Sequence, residues 1–289
     1  MARTAGELSA AGAVDVVPLL PGERAELIDL LASLDDPAWD RPTECPAWNV
    51  KGVALHVLGD DLSLLARQRD AMVPSVLTEP SLPTWDGAPV GPLDRFNERW
   101  VLAATFLSPT LIVELLRLTG EWTHAWYATV DPNTTGEVVL LVGPDPAPYW
   151  MIAGREYLER WVHHLQIRRA LKLDAGPLGG HPYATMAAAV VARVLPRFFA
   201  PLSAPVDATA AVRIGDKSWT LARRDVNAWA LLDGDADDCT VVLRIDAAAV
   251  PALLSRGLSR LEAEQLLVID GDADLGSMLR SRLVDLLGR

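Results

Sequence analysis

Apolar residues recur at helical spacing through the first two thirds of the chain, and alternation replaces that spacing towards the end. The run ERAELIDLLASL, from Pro21 to about Leu34, predicts a helix opened by Pro21 and stopped by Asp35, Asp36 and Pro37. The segment RPTECPAWN (41–49) holds two prolines and reads as an irregular loop. Asn49 is placed to cap a long helix, VKGVALHVLGDDLSLLARQRDAM, that ends before Pro74. A proline-rich connection follows over 74–91. Two further helices are predicted over 92–107 and 109–129, separated at Ser108-Pro109. The loop 131–148 holds DPNTTG and GPDPAP. A fifth helix spans about 149–172 and another 183–199.

Beyond Pro205 the runs ATAAVRI, KSWTLARR and CTVVLRID have strand length and β-branched content, with turns at GDK and DGDADD. Helical stretches over 246–256 and 259–265, then LLVID and a last helix from Asp274, complete an α+β module. The predicted organisation is an Ala-rich flexible lead over 1–17, a helical bundle over 18–203 and the α+β module over 206–289, with the boundary near 203–206 where the period changes.

Charge narrows the function. Lys and Arg total 26 against 38 Asp and Glu, a formal charge of −12 with pI near 4.8. Such a chain repels phosphate backbones and anionic bilayers, so neither nucleic acid nor membrane is expected as a partner. The greasiest stretch, 100–118, is broken by Pro109 and Glu114 and would span a bilayer poorly. The start carries Glu7 and Asp15 and lacks the apolar run of a signal peptide. Cys45 and Cys239 are too few for a disulfide framework, and a cytoplasmic location is expected. There is no Gly-x-Ser-x-Gly elbow, phosphate loop or dinucleotide fingerprint.

Histidine placement carries the candidate chemistry. His56 lies inside the second helix and His163 inside the fifth, with Glu159 four residues before it on the same face, about 6 Å away along the axis. Two antiparallel helices presenting these groups can close three ligands around one divalent cation. Two imidazoles and a carboxylate suit zinc and leave a position open. Gly52 and Gly59 flank His56 on its own face and are expected to leave a notch beside it. Asp60 is a fourth ligand or a partner that fixes the ring.

The same spacing also fits a surface Glu–His pair and packed helical histidines. His164 points about 100° away from His163. Glu156 can pair with either histidine, while His124 and His181 read as structural or solvated. Cys45 can approach from its loop or simply be buried. Trp48, Trp122, Trp126, Trp150 and Trp161 read as bundle core.

The stretch PTECPAWNVKGVALHVLGDD (42–61) resembles one signature of the mycothiol-dependent maleylpyruvate isomerase family, and EYLERWVHHLQIRRAL (156–171) resembles its second. The tail SRGLSRLEAEQLLVIDGDADLGSML (255–279) is similar to the sterol-carrier-type domain that accompanies it. The resemblance implies a DinB-like four-helix bundle with extra helices, followed by a small sterol-carrier-like α+β domain. It also implies a divalent metal, typically zinc, held by His56, Glu159 and His163. Mycothiol is the implied thiol cosubstrate, adding to the cis double bond of a small dianionic electrophile and leaving after rotation about the new single bond. Arg155, on the ligand face, with Arg256 and Arg280 in the small domain, are the candidate catalytic anchors for that anion. Isomerase or thiol S-transferase activity is the expectation. A metal-dependent hydrolase on the same scaffold and a non-enzymatic carrier of apolar ligands are the alternatives.

Overall fold

The computed structural model describes residues 3–72, 82–83, 89–90, 92–138, 145–226, 228–255 and 257–287. Its elements form a helical N-terminal region followed by a C-terminal sheet domain. By packing, the chain divides into two compact units, Val17–Asp131 with Gln166–Asp174, and Met1–Val16 with Pro132–Leu165 and Ala175–Arg289.

The first unit opens with α1 (Leu20–Ala32), with Pro21 in its first turn. A single turn, α2 (Asp36–Trp39), is capped by the Asp35 side chain. Asn49 caps α3 (Val50–Leu64), its side-chain oxygen accepting the Gly52 amide at 2.9 Å. Nearly every residue of α3 is buried, as expected for a helix that is apolar all round. The helix was expected to run on towards Pro74. Instead it widens over Leu65–Arg69, where the Asp70 amide reaches back to the Leu65 carbonyl at 3.0 Å. It stops where Ala71 takes φ 55°, a left-handed conformation no helix continues through.

The 74–91 connection lies largely outside the described residues. It contains a short antiparallel ladder of β1 (Leu82–Pro83) with β2 (Pro89–Val90). Next come α4 (Pro92–Ala104) and α5 (Pro109–Tyr127), which start on either side of the predicted Ser108-Pro109 break, and the Ser108 side chain caps α5. Helix α5 packs on α1 and α3, and α4 on α3. The core holds Leu27, Leu31, Val53, Leu58, Ile112 and Leu116, joined by Ile167 from the last turns of α6 (Tyr149–Ala170).

The second unit contains a feature absent from the sequence reading of 131–148. There β3 (Thr135–Val138) pairs antiparallel with β4 (Pro146–Pro148). Two prolines disguise β4, and they are tolerated because a two-stranded ladder leaves each strand a free edge. Helix α6 follows, then α7 (Tyr183–Phe199), over the predicted range.

The sheet is built from β5 (Thr209–Ile214), β6 (Lys217–Asp225), β7 (Ala228–Asp233), β8 (Val241–Ile245) and β9 (Val268–Gly271), in the order β7-β6-β5-β8-β9. Strands β5 and β8 are parallel and the other pairs antiparallel. Gly215 at φ +60° makes the predicted tight turn between β5 and β6. Strand β7 escaped the sequence reading because AWALLD is rich in Ala and Leu, and its pairing with β6 is what makes it a strand. Between β8 and β9 lie α8 (Val250–Leu254) and α9 (Arg260–Leu266), and α10 (Ala273–Leu287) closes the chain. Helix α7 packs on β6 and β7, and α10 on β8 and β9.

The flexible lead expected over 1–17 needs correction. Ala5 and Leu8 are buried against Ala222, Leu232 and Ala236. The Ala11 amide donates to the Leu231 carbonyl at 2.9 Å, and the Asp233 amide to the Ser9 carbonyl at 2.8 Å. Composition alone hides this, because an Ala-rich segment becomes ordered once a strand edge offers it backbone partners. Among the described residues no helix is long and apolar enough to cross a membrane.

Candidate metal centre

The 41–49 loop is ordered by its own short hydrogen bonds. The Trp48 amide donates to the Cys45 carbonyl at 2.9 Å, and Thr43 Oγ1 donates to the Trp48 carbonyl at 2.7 Å. A bridge pairs Pro42 with Asn49, and the Val50 amide donates to the Arg41 carbonyl at 3.0 Å. Both backbone groups of Trp48 are therefore fixed just before α3 begins. The Cys45 thiol donates to Gln166 Oε1 at 3.2 Å, so its role here is packing and hydrogen bonding.

This loop delivers Trp48 onto His56. The two rings stack with centroids 4.7 Å apart and planes 25° from parallel, and His56 is buried at 3% exposure. Trp48 therefore packs, half-buried, at the edge of the bundle core, as its apolar character suggests, and also covers the imidazole.

The two flanking glycines serve a different purpose from the open notch expected of them. A Cβ on Gly52 would lie 2.8 Å from Trp48 Cβ. A Cβ on Gly59 would lie 2.3 Å from Trp100 Cδ1. Both notches are filled by indole rings, and the Trp100 Nε1 donates to the Leu55 carbonyl at 2.6 Å. Sequence spacing located the gaps correctly but could not say what occupies them. Asp60 Oδ2 stands 3.8 Å from His56 Nε2, longer than a hydrogen bond.

On α6, His163 Nε2 and Glu159 Oε1 lie 3.1 Å apart, the contact that an i,i+4 spacing predicts. Glu156 does not turn to a histidine. Its carboxylate is taken by Arg155 Nη1 at 2.5 Å, and Arg160 Nη1 stands 3.5 Å away. Arg155 Nη2 also lies 3.6 Å from Glu159 Oε2, so its guanidinium is already neutralised by carboxylates of its own helix. His164 is fully buried.

His56, Glu159 and His163 come together. Each offers one ligand atom, and these atoms all lie within 4.8 Å of one another. The donor chemistry fits a divalent cation: two imidazole nitrogens and one carboxylate oxygen, with His56 and His163 buried and Glu159 partly exposed. Asp60 does not belong to this set. Of the other candidate anchors, Arg280 is half-buried on α10. Arg256 lies outside the described residues.

A helical N-terminal region that gathers two histidines and a glutamate, followed by a sheet domain, defines a protein with a candidate metal centre on a mostly helical scaffold. Residues 20–168, just over half of the chain, match the family model described as the mycothiol maleylpyruvate isomerase N-terminal domain, and the chain belongs to that family. Among solved structures, it is similar to one described as the crystal structure of the mycothiol-dependent maleylpyruvate isomerase. The identity is 11%, the TM-score 0.48, and the match covers 82% of this chain and 86% of that one. A histidine-to-alanine mutant of the mycothiol-dependent maleylpyruvate isomerase is similar at 10% identity and TM-score 0.49, with the same coverage. No curated protein matches the chain.

Proposed function

We propose that the chain is a metal-dependent enzyme that takes a low-molecular-weight thiol, mycothiol, as cosubstrate and acts on a small electrophile. The reaction is an isomerisation of the maleylpyruvate type or a thiol S-transfer. The observation that carries this reading is the gathering of the His56, Glu159 and His163 ligand atoms within 4.8 Å of one another in a chain of this family.

Those three residues hold the cation, and zinc is the ion that two imidazoles and a carboxylate suit best. A divalent cation there supplies one kind of chemistry, the lowering of a thiol pKa so that a thiolate is available at neutral pH. The chain's own groups set the conditions around it. His56 sits on a buried helix with Trp48 over its ring, which excludes water from that face. Arg155 places positive charge beside Glu159 while hydrogen bonded to Glu156. It therefore acts on the carboxylate ligand more directly than on an incoming anion. The small α+β module is read as sterol-carrier-like, and the cytoplasm as the place of action.

The test is elemental mass spectrometry of untagged protein purified without chelator, followed by thiol-dependent turnover. The expected result is about one zinc per chain, lost in Glu159→Ala, with maleylpyruvate isomerised or an electrophile joined to the thiol sulfur only when mycothiol is present. Absence of metal even after incubation with zinc would overturn the reading. Turnover indifferent to thiol would replace it with the hydrolase.

A further inference from the structure

We infer that Trp48 is a positioning residue for the metal centre: its indole, seated by Gly52, fixes the plane of the His56 imidazole. This rests on His56 being a metal ligand, as proposed above, and goes beyond it by naming what orients that ligand.

An imidazole turns broadly about its outer side-chain bond, because that torsion joins tetrahedral and planar atoms and has no narrow staggered wells. A ligating histidine therefore needs something to hold its plane, and a hydrogen bond from its second nitrogen to a carboxylate usually does so. Asp60, the carboxylate one turn away on the same helix, stands 3.8 Å from His56 Nε2, and packing against the ring face can hold the plane as well. What the structure places against the ring is the indole of Trp48, 4.7 Å centroid to centroid and 25° from parallel. Rotating the imidazole by a large angle would drive its edge into that indole.

The indole is itself held. Thr43 and Cys45 fix the Trp48 backbone. The side chain then crosses the first turn of α3 at Gly52, where any Cβ would stand 2.8 Å from Trp48 Cβ and 3.2 Å from Cγ. Gly52 is thus the one position in that turn whose lack of a side chain the stack requires. The sequence feature is a tryptophan followed four residues later by glycine and eight residues later by the ligand histidine.

The experiment measures Co²⁺ and Zn²⁺ affinity by competition with a chromophoric chelator in wild type, His56→Ala, Trp48→Phe, Trp48→Met and Gly52→Ala, with the Co²⁺ visible spectrum recorded for each. Trp48→Phe keeps an aromatic face and is expected to stay close to wild type. Trp48→Met fills the volume without a ring and is expected to weaken binding by about ten- to a hundred-fold, with a shifted Co²⁺ band. Gly52→Ala should follow Trp48→Met. Equal affinity and an unchanged spectrum in Trp48→Met would overturn the inference while leaving the metal reading intact. Wild type binding no more tightly than His56→Ala would overturn both.

Should the Met and Ala variants fail to fold, wild-type protein still decides the matter by NMR. The ring protons of His56, assigned by their loss in His56→Gln, are expected upfield under the indole ring current. Signals at ordinary histidine positions would overturn the inference.

Discussion

Arg24 grips Asp61 through a fork, Nη1 to Oδ2 at 2.6 Å and Nη2 to Oδ1 at 3.1 Å, with both side chains buried. Arg24 Nη1 also donates to the Leu116 carbonyl at 2.7 Å, and Thr119 Oγ1 donates to Asp61 Oδ2 at 2.7 Å. One buried pair therefore ties α1, α3 and α5 together. Removing either partner leaves a charge stranded away from water, so Asp61→Ala or Arg24→Ala should cost about 3–5 kcal/mol. The apolar double replacement Arg24→Met with Asp61→Leu should recover much of that loss. Urea unfolding of the four proteins checks it, and additive single effects would contradict it.

Gly59 should reverse an ordinary rule. Glycine to alanine inside a helix usually stabilises by about 1 kcal/mol. Here the new methyl would meet the Trp100 ring at 2.3 Å, so Gly59→Ala should instead destabilise by about 1–3 kcal/mol. In a Trp100→Leu background the same change should become neutral or favourable. Thermal melts of the two single variants and the double variant read the sign directly.

The N-terminal lead should matter to the sheet. Leu8→Ala removes a side chain packed on Leu232 and Ala222 and should cost about 2 kcal/mol. Truncation before Ala11 should raise hydrogen exchange at the Asp233 amide, whose acceptor is the Ser9 carbonyl. Unchanged protection at Asp233 would mean that the lead does not hold the β7 edge in solution.

Cys239 should be a slow thiol. Burial pushes its pKa up, and the Asp235 and Asp238 carboxylates add to the rise, while hydrogen bonding with Thr220 and Thr209 opposes it. At pH 7.5 less thiolate forms than on an exposed cysteine, so iodoacetamide should label Cys239 more slowly than a small free thiol. Labelling should accelerate only as pH rises above the ordinary thiol range. Because the folded pKa is the higher one, the contribution to stability is intact below the unfolded value. It falls as pH rises through the folded one. Peptide mass spectrometry across pH measures the rate, and parity with the free thiol at pH 7.5 would contradict it.

Much of this architecture was written in local chemistry. Asn49 announced the start of α3, because a cap is a contact over three residues, and the Ser108-Pro109 break marked where α5 begins. The GDK turn fixed the β5–β6 hairpin for the same reason. His56, Glu159 and His163 could be selected because two helices were legible and a four-residue step places Glu159 and His163 on one face. What the sequence could not settle depended on partners far along the chain. Strand β7 exists because β6 offers its edge, and the lead is ordered because β7 offers its own. Gly52 and Gly59 announced gaps, but only tertiary packing decided that Trp48 and Trp100 fill them. Periodicity reports which face of an element is apolar, whereas the neighbour that covers that face is chosen by the fold.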